Sequence, residues 1–379
     1  MHKGTVGPNI KELGMDRFTI PRVAMRRVQG IAREQIYLTC GADFTRPETI
    51  RGCVNYRCNF ECQYCYSWQR TDNREISIAQ WQEALLSLAT YVGKYLIQFS
   101  GGEPFIKKGF IDLLTFCHAH EIEWGAITNG SAFTQRIVEH VVAANPVNID
   151  ISVDSSSAVI NDEVRGSAGA LSKIEDGIKR LVDERAKQNG KFLIRIKPTV
   201  TKKTFRFLPN LVAWALNHGA DSIDFSPVRP EQFWMEGHYR DLWLVSSELE
   251  ELDQVVRELI LLRNNGARIE TAPEKLLAFV DHFRGRKTYT GVSPCRVGMR
   301  DYYISPMGDV QVCWEYPSIG NVTTQSAKEI WEGAKAREIR AQTVVCDKFA
   351  STVCANSCLS HRTFKQEAVR LVRILAPGP

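Results

Sequence analysis

Four of the chain's eleven cysteines fall within thirteen positions of one another in the stretch CVNYRCNFECQYCYSW, residues 53–68. Cys58, Cys62 and Cys65 form a C-x3-C-x2-C run, with Cys53 five residues upstream. Zinc sites usually use paired C-x2-C hooks with four ligands, and disulfide frameworks spread their cysteines through small secreted domains. Three close thiols instead suit a metal centre that keeps one position open. On a four-iron, four-sulfur cluster, three thiolates leave one iron without a protein ligand, and an open metal position is where a substrate binds. Cys53 stands in strand context and reads as a small buried apolar residue. Cys40 and Cys117 read the same way.

The elements around the run would have to hold it. Short apolar runs at YLIQF (95–99), IEWGAIT (122–128), VNIDISV (147–153), KFLIRIKPTV (191–200) and DSIDFSPV (221–228) read as strands. Helical periods at 78–92, 108–119, 133–144, 169–187, 205–218 and 247–265 alternate with them. That alternation predicts a parallel α/β sheet, open or barrel-like, over about residues 50–285. The cysteines then occupy the first strand-to-helix loop, at the carboxyl ends of the strands, where chemistry gathers in such folds. Residues 1–49 read as an arm in which FTIPRVAMRRVQGIAREQ is a solvated packing segment, with a short basic amphipathic helix as the alternative. Residues 286–361 read as a small metal-stapled domain carrying Cys295, Cys313, Cys346, Cys354 and Cys358. Strand-like YYISPM and VQVCW there flank the turn pair Gly308-Asp309. A helix at 362–375 is expected to precede the tail.

Composition excludes little: 44% hydrophobic and 24% charged residues with a formal charge of +5 describe an ordinary globular protein. No run approaches the roughly 18 residues that span a bilayer. The first residues lack a signal-peptide core, so the expected compartment is the cytoplasm. No dense basic run points to nucleic acid.

The triad, with aromatic Tyr64 before its last cysteine, resembles the signature of the radical S-adenosylmethionine superfamily. SGGEP (100–104), TNG (128–130) and ISVDSS (151–156), each at a strand end, resemble that family's cofactor-contacting turns. NDEVRG (161–166) resembles an acidic-then-Arg-Gly segment of members with an extra cluster domain. The resemblance implies a partial (β/α)6 TIM-like barrel that binds a 4Fe-4S cluster and S-adenosylmethionine. Gly101 and Gly102 would allow close backbone approach to the cofactor. Glu103 would hold its ammonium, Asn129 and Ser152 its ribose hydroxyls, and Tyr64 its adenine. Asp154 and Arg165 lie within the matched segments and join the cofactor-binding set.

Cys295 and Cys313, spaced C-x12-G-x4-C through Gly308, resemble the opening of SPASM and Twitch domains, and GNV (320–322) with KEIWEG (328–333) resembles their continuation. The closing C-x7-C-x3-C departs from the full pattern. Five thiols cannot complete two clusters at four apiece, so one auxiliary 4Fe-4S cluster is expected, on Cys295, Cys313 and two of Cys346, Cys354 and Cys358. Zinc is the alternative for this domain. The family chemistry is cleavage of S-adenosylmethionine to a 5′-deoxyadenosyl radical and hydrogen abstraction from a peptide or small natural product. The expected outcome is net oxidation or bond formation, with a flavodoxin or ferredoxin as reductant. A redox-neutral epimerase and a non-catalytic iron–sulfur or zinc protein are the alternative functions. EQFWMEGHYRDLW (231–243) divides between a pocket wall and domain-junction packing.

Overall fold

A computed structural model describes residues 19–72, 74–229, 241–285 and 294–346. Six strand-and-helix units lie in order along its main sheet. Strand β1 (Thr49–Cys53) leads to helix α2 (Ile78–Val92), β2 (Leu96–Ser100) to α3 (Phe110–Ala119), and β3 (Glu123–Thr128) to α4 (Gln135–Ala143). Strand β4 (Asn148–Ile151) is followed by α5 (Ala158–Arg165) and α6 (Ala170–Lys187), and β5 (Leu193–Ile196) by α7 (Leu208–Asn217). Strand β7 (Ser222–Ile223) precedes α8 (Leu249–Asn264). Each of these strands pairs in parallel with the next, from Ile50 opposite Ile97 through to Ile196 opposite Ile223. The sequential order is that of a barrel left open, as the sequence predicts.

Local chemistry sets the boundaries. Ser77 caps α2 by accepting from the Gln80 amide, while the Gln80 side chain returns a bond to the Ser77 amide. Helix α2 then buries Trp81, Leu85 and Leu88 against Ile97 and Phe99 of β2. Gly52 is small because a β-carbon there would sit 3.1 Å from the Trp81 ring. The runs 191–200 and 221–228 are not single strands. β6 (Thr199–Val200) and β8 (Ser226–Pro227) form a separate two-stranded ladder. Pro198 has no amide to donate and interrupts the first ladder. Two helices escape the strand-helix count: α5, read only as a motif, and α9 (Pro273–Phe283).

The carboxyl-terminal hairpin does not stand apart from the barrel. Strand β9 (Asp301–Ile304) pairs in parallel with β1, Thr49 opposite Asp301, and β10 (Asp309–Gln311) and β11 (Gly320–Asn321) extend the same sheet antiparallel. The turn uses Gly308 at φ +85°, as the Gly-Asp pair predicts. Helix α1 (Thr19–Cys40) ties the arm into this region. Its buried Glu34 meets Arg296 at 2.8 Å, and Trp331 of α10 (Ala327–Glu332) donates to the Thr45 carbonyl at 3.0 Å. Arg340 of α11 (Ala334–Val344) pairs with Asp43. The helix expected at 362–375, with Cys354 and Cys358, lies outside the described residues.

Candidate active site

The cysteine loop is laced to the neighbouring strand end by backbone. Val54 donates to the Ser100 carbonyl at 2.9 Å, Gly102 to Asn55 at 2.9 Å, and Glu103 to Arg57 at 2.8 Å. The Asn55 side chain donates to the Glu103 carbonyl at 2.9 Å. A β-carbon on Gly102 would stand 2.0 Å from the Arg57 carbonyl oxygen, and one on Gly101, at φ +148°, 2.4 Å from that of Asn55. The glycines of SGGEP thus first permit a close approach of chain to chain.

Glu103 likewise has protein partners. Fully buried, its carboxylate accepts from the Phe105 amide at 3.0 Å, the Thr128 hydroxyl at 2.7 Å and the Asn129 amide at 2.7 Å. It clamps the ends of β2 and β3 together. Burial outweighs those bonds and pushes its pKa up to about 7. Asn129 has both ends of its amide engaged, accepting from Ser131 and donating to Asn59 at 2.9 Å. Ser152 is half-buried just past β4, its amide bonded to the Thr128 carbonyl at 2.9 Å.

All three triad sulfurs meet N–H donors. Cys58 faces the Phe60 amide at 3.4 Å and the Asn129 side-chain nitrogen at 3.8 Å. Cys62 faces Arg165 Nη1 at 3.9 Å, and Cys65 takes the Ser67 amide. Burial raises all three thiols, Cys62 and Cys65 to about 11. As protonated thiols they are inert, and iron must displace their protons as it binds. Donors aimed at sulfur suit thiolates that carry cluster charge, so the residues present fit a three-thiolate iron–sulfur cluster.

Arg165 ends α5 beneath this loop. The Gln63 amide donates to the Val164 carbonyl at 2.9 Å. Gly166, at φ +59°, passes so close that a β-carbon would lie 2.2 Å from the Glu61 carbonyl oxygen. Arg165 Nε is 2.8 Å from Asp154, whose carboxylate also accepts from the Tyr64 hydroxyl at 2.8 Å and the Thr199 amide at 2.7 Å. Tyr64, expected against adenine, is held by that phenol bond, with the Arg165 guanidinium 5.6 Å from its ring centre.

The second thiol set converges on a residue that spacing alone does not pick out. Burial raises the Tyr316 phenol, as do its hydrogen bond to Cys346 and the nearby thiols of Cys313 and Cys295. All three cysteines thus influence one side chain, while Cys354 and Cys358 lie outside the described residues. Cys117 is fully buried in core and Cys40 is exposed. Cys53 is buried too, bonded to the Asn55 carbonyl at 3.3 Å and to the Tyr303 side chain. Tyr303 on β9 lies 4.3 Å, ring to ring, from Trp314, the neighbour of Cys313. The hairpin thus links the two cysteine sets. Sequence reasoning missed Asn55, Asn59, Tyr303 and Tyr316; only the position of Tyr316 three residues after Cys313 offered a signal. Of the segment 231–243, residues 231–240 lie outside the described residues, and Trp243 packs on His282 and Phe283.

Residues 53–211 match the Radical SAM superfamily, and residues 295–359 match the SPASM iron-sulfur cluster-binding domain. The chain is 24% identical over 325 residues to the mycofactocin maturase MftC of Mycolicibacterium smegmatis, covering 82% of this chain and 78% of that one. It is 23% identical over 297 residues to the PqqA peptide cyclase of Rhodopseudomonas palustris, covering 75% and 73%. The fold matches Streptococcus suis SuiB bound to its precursor peptide SuiA with a TM-score of 0.62 at 15% identity, over 94% of this chain and 78% of that one.

Proposed function

We propose, for a chain that is a radical S-adenosylmethionine protein with a SPASM iron–sulfur domain, that it modifies a peptide by hydrogen abstraction followed by oxidation or bond formation. The observation that carries this reading is the pairing of β9 with β1. It hangs the auxiliary thiol set on the strand that delivers Cys58, Cys62 and Cys65. Such an arrangement supports a substrate handed from one centre to the other. The peptide class rests on similarity to a peptide cyclase and on the fold of a peptide-bound relative.

When bound, the triad cluster supplies the electron that cleaves S-adenosylmethionine and so releases the 5′-deoxyadenosyl radical. The chain's own residues prepare the place. Cys58, Cys62 and Cys65 would hold three irons. Asn129, Arg165 and the Phe60 and Ser67 amides would carry charge away from the sulfurs. Glu103 keeps two strand ends at fixed separation, and Ser152, Asp154 and Tyr64 would border the nucleotide. Cys295 and Cys313, with two of Cys346, Cys354 and Cys358, would hold the auxiliary cluster, whose use is to accept an electron from the substrate. A flavodoxin or ferredoxin would be the external reductant.

The test is anaerobic reconstitution with S-adenosylmethionine and dithionite, then addition of short peptides encoded beside the gene. Formation of 5′-deoxyadenosine, abolished in Cys62→Ala, with a peptide losing two hydrogens or gaining a cross-link, is the expected result. A peptide of unchanged mass carrying one solvent deuterium refutes the oxidative reading. Undiminished cleavage by Cys62→Ala refutes the site.

A further inference from the structure

The donors to the three sulfurs differ in kind. Cys58 and Cys65 take neutral N–H groups, whereas Cys62 takes a guanidinium. Arg165 is only 4% exposed and Asp154 fully buried, so solvent does little to screen either charge. Arginine keeps its proton in proteins, so this is a fixed charge. Its counter-ion is Asp154, 2.8 Å from Nε, and Nη2 has no hydrogen-bond partner among the described residues. The Gln63–Val164 bond and the tight passage of Gly166 hold the end of α5 against the cysteine loop, and the Asp154 contact aims the guanidinium.

We propose that Arg165 sets the reduction potential of the cluster on Cys58, Cys62 and Cys65, acting through the Cys62 sulfur, with Asp154 as the opposing charge. This rests on reading the triad as the radical-generating site. Reduction adds negative charge to the cluster. A buried positive group beside one ligand favours the reduced form, and a buried carboxylate just behind it opposes that effect. Arg165, one of the cofactor-binding set expected from the sequence, acts in this proposal through its charge on the Cys62 sulfur, and the titration is run without S-adenosylmethionine to read that effect alone.

The experiment is a redox titration of the full chain, reconstituted with iron and sulfide and free of S-adenosylmethionine, followed by electron paramagnetic resonance. A variant with all three triad cysteines replaced by Ala supplies the auxiliary spectrum for subtraction. At the wild-type midpoint, Arg165→Gln should lower the ratio of reduced to oxidised cluster about tenfold, a shift of about 59 mV to more negative potential for one electron. Arg165→Lys should recover most of it. Asp154→Asn should shift the potential the other way, because it leaves the guanidinium unopposed. Opposite signs from neighbouring substitutions are not produced by a loosened fold. An unshifted Arg165→Gln protein with full iron content overturns the proposal, as do shifts of the same sign in both variants. A wild type that holds no iron at the triad overturns the reading beneath it instead.

Discussion

Replacing Gly102 with Ala adds one methyl group, and the structure says where it goes. The new β-carbon would lie 2.0 Å from the Arg57 carbonyl oxygen and 2.5 Å from that of Tyr56. Ordinary contact needs more than 3 Å, so the two chains must part by about 1 Å. Both obstacles are backbone, and neither can rotate away. The movement strains the Gly102–Asn55 and Glu103–Arg57 bonds, each worth about 1 kcal/mol. With the overpacking penalty of about 1–3 kcal/mol, the expected loss is roughly 3–5 kcal/mol. The strained segment also carries Cys58, so the cysteine loop should shift out of register with Asn129. Denaturant unfolding of the iron-free protein under reducing conditions measures the first effect, and iron bound per chain after reconstitution the second. Gly169→Ala is the control, since a β-carbon at that position meets nothing within 4 Å and its backbone is left-handed at φ +70°, ψ +19°. It should cost only the backbone strain, about 1 kcal/mol. If Gly102→Ala unfolds within 1 kcal/mol of wild type and binds iron normally, the argument from close approach is wrong.

Glu103 gives a pH test in the ligand-free protein. Its folded pKa of about 7 lies above the unfolded value, so its contribution to stability is complete below about pH 4.5 and is lost as pH rises through 7. The loss is on the order of 3 kcal/mol. Glu103→Gln should remove that part of the pH slope while costing about 1–3 kcal/mol by turning an amide donor against other donors; an unchanged slope assigns the titration elsewhere. The variant with all three triad cysteines replaced by Ala should keep roughly half the wild-type iron, by the ligand count for one cluster per site, and stoichiometric zinc without iron in it would displace the auxiliary cluster. Cys313→Ala should still cleave S-adenosylmethionine yet leave substrate unoxidised, which product mass against 5′-deoxyadenosine yield decides.

Spacing pointed to an open metal centre, and the resemblance carried by the same residues implied its chemistry. Three thiols in eight positions, and short polar turns at regular distances after apolar runs, are local facts that survive without coordinates. The parallel α/β sheet followed because strand-helix alternation leaves few ways to bury both its faces, and the family resemblance implied the partial barrel. Local pattern could not supply partners far apart in sequence. Gly101 and Gly102 read as places of close approach to a cofactor; that they also pass against the backbone of residues 55–57 could not be read from local pattern. Glu103 read as the acid that would hold an ammonium, and its bonds to Thr128 and Asn129 were not legible beside that reading. Arg165 read as one residue of a motif, and only the packing of α5 on the cysteine loop turned its charge toward Cys62. The hairpin looked separate because composition changes near residue 286, yet β9 completes an edge of β1 that would otherwise carry unpaired amides and carbonyls. Residue type and spacing determine which groups can bind metal. Which charges and hydrogen-bond donors face them depends on contacts that only the folded chain brings together.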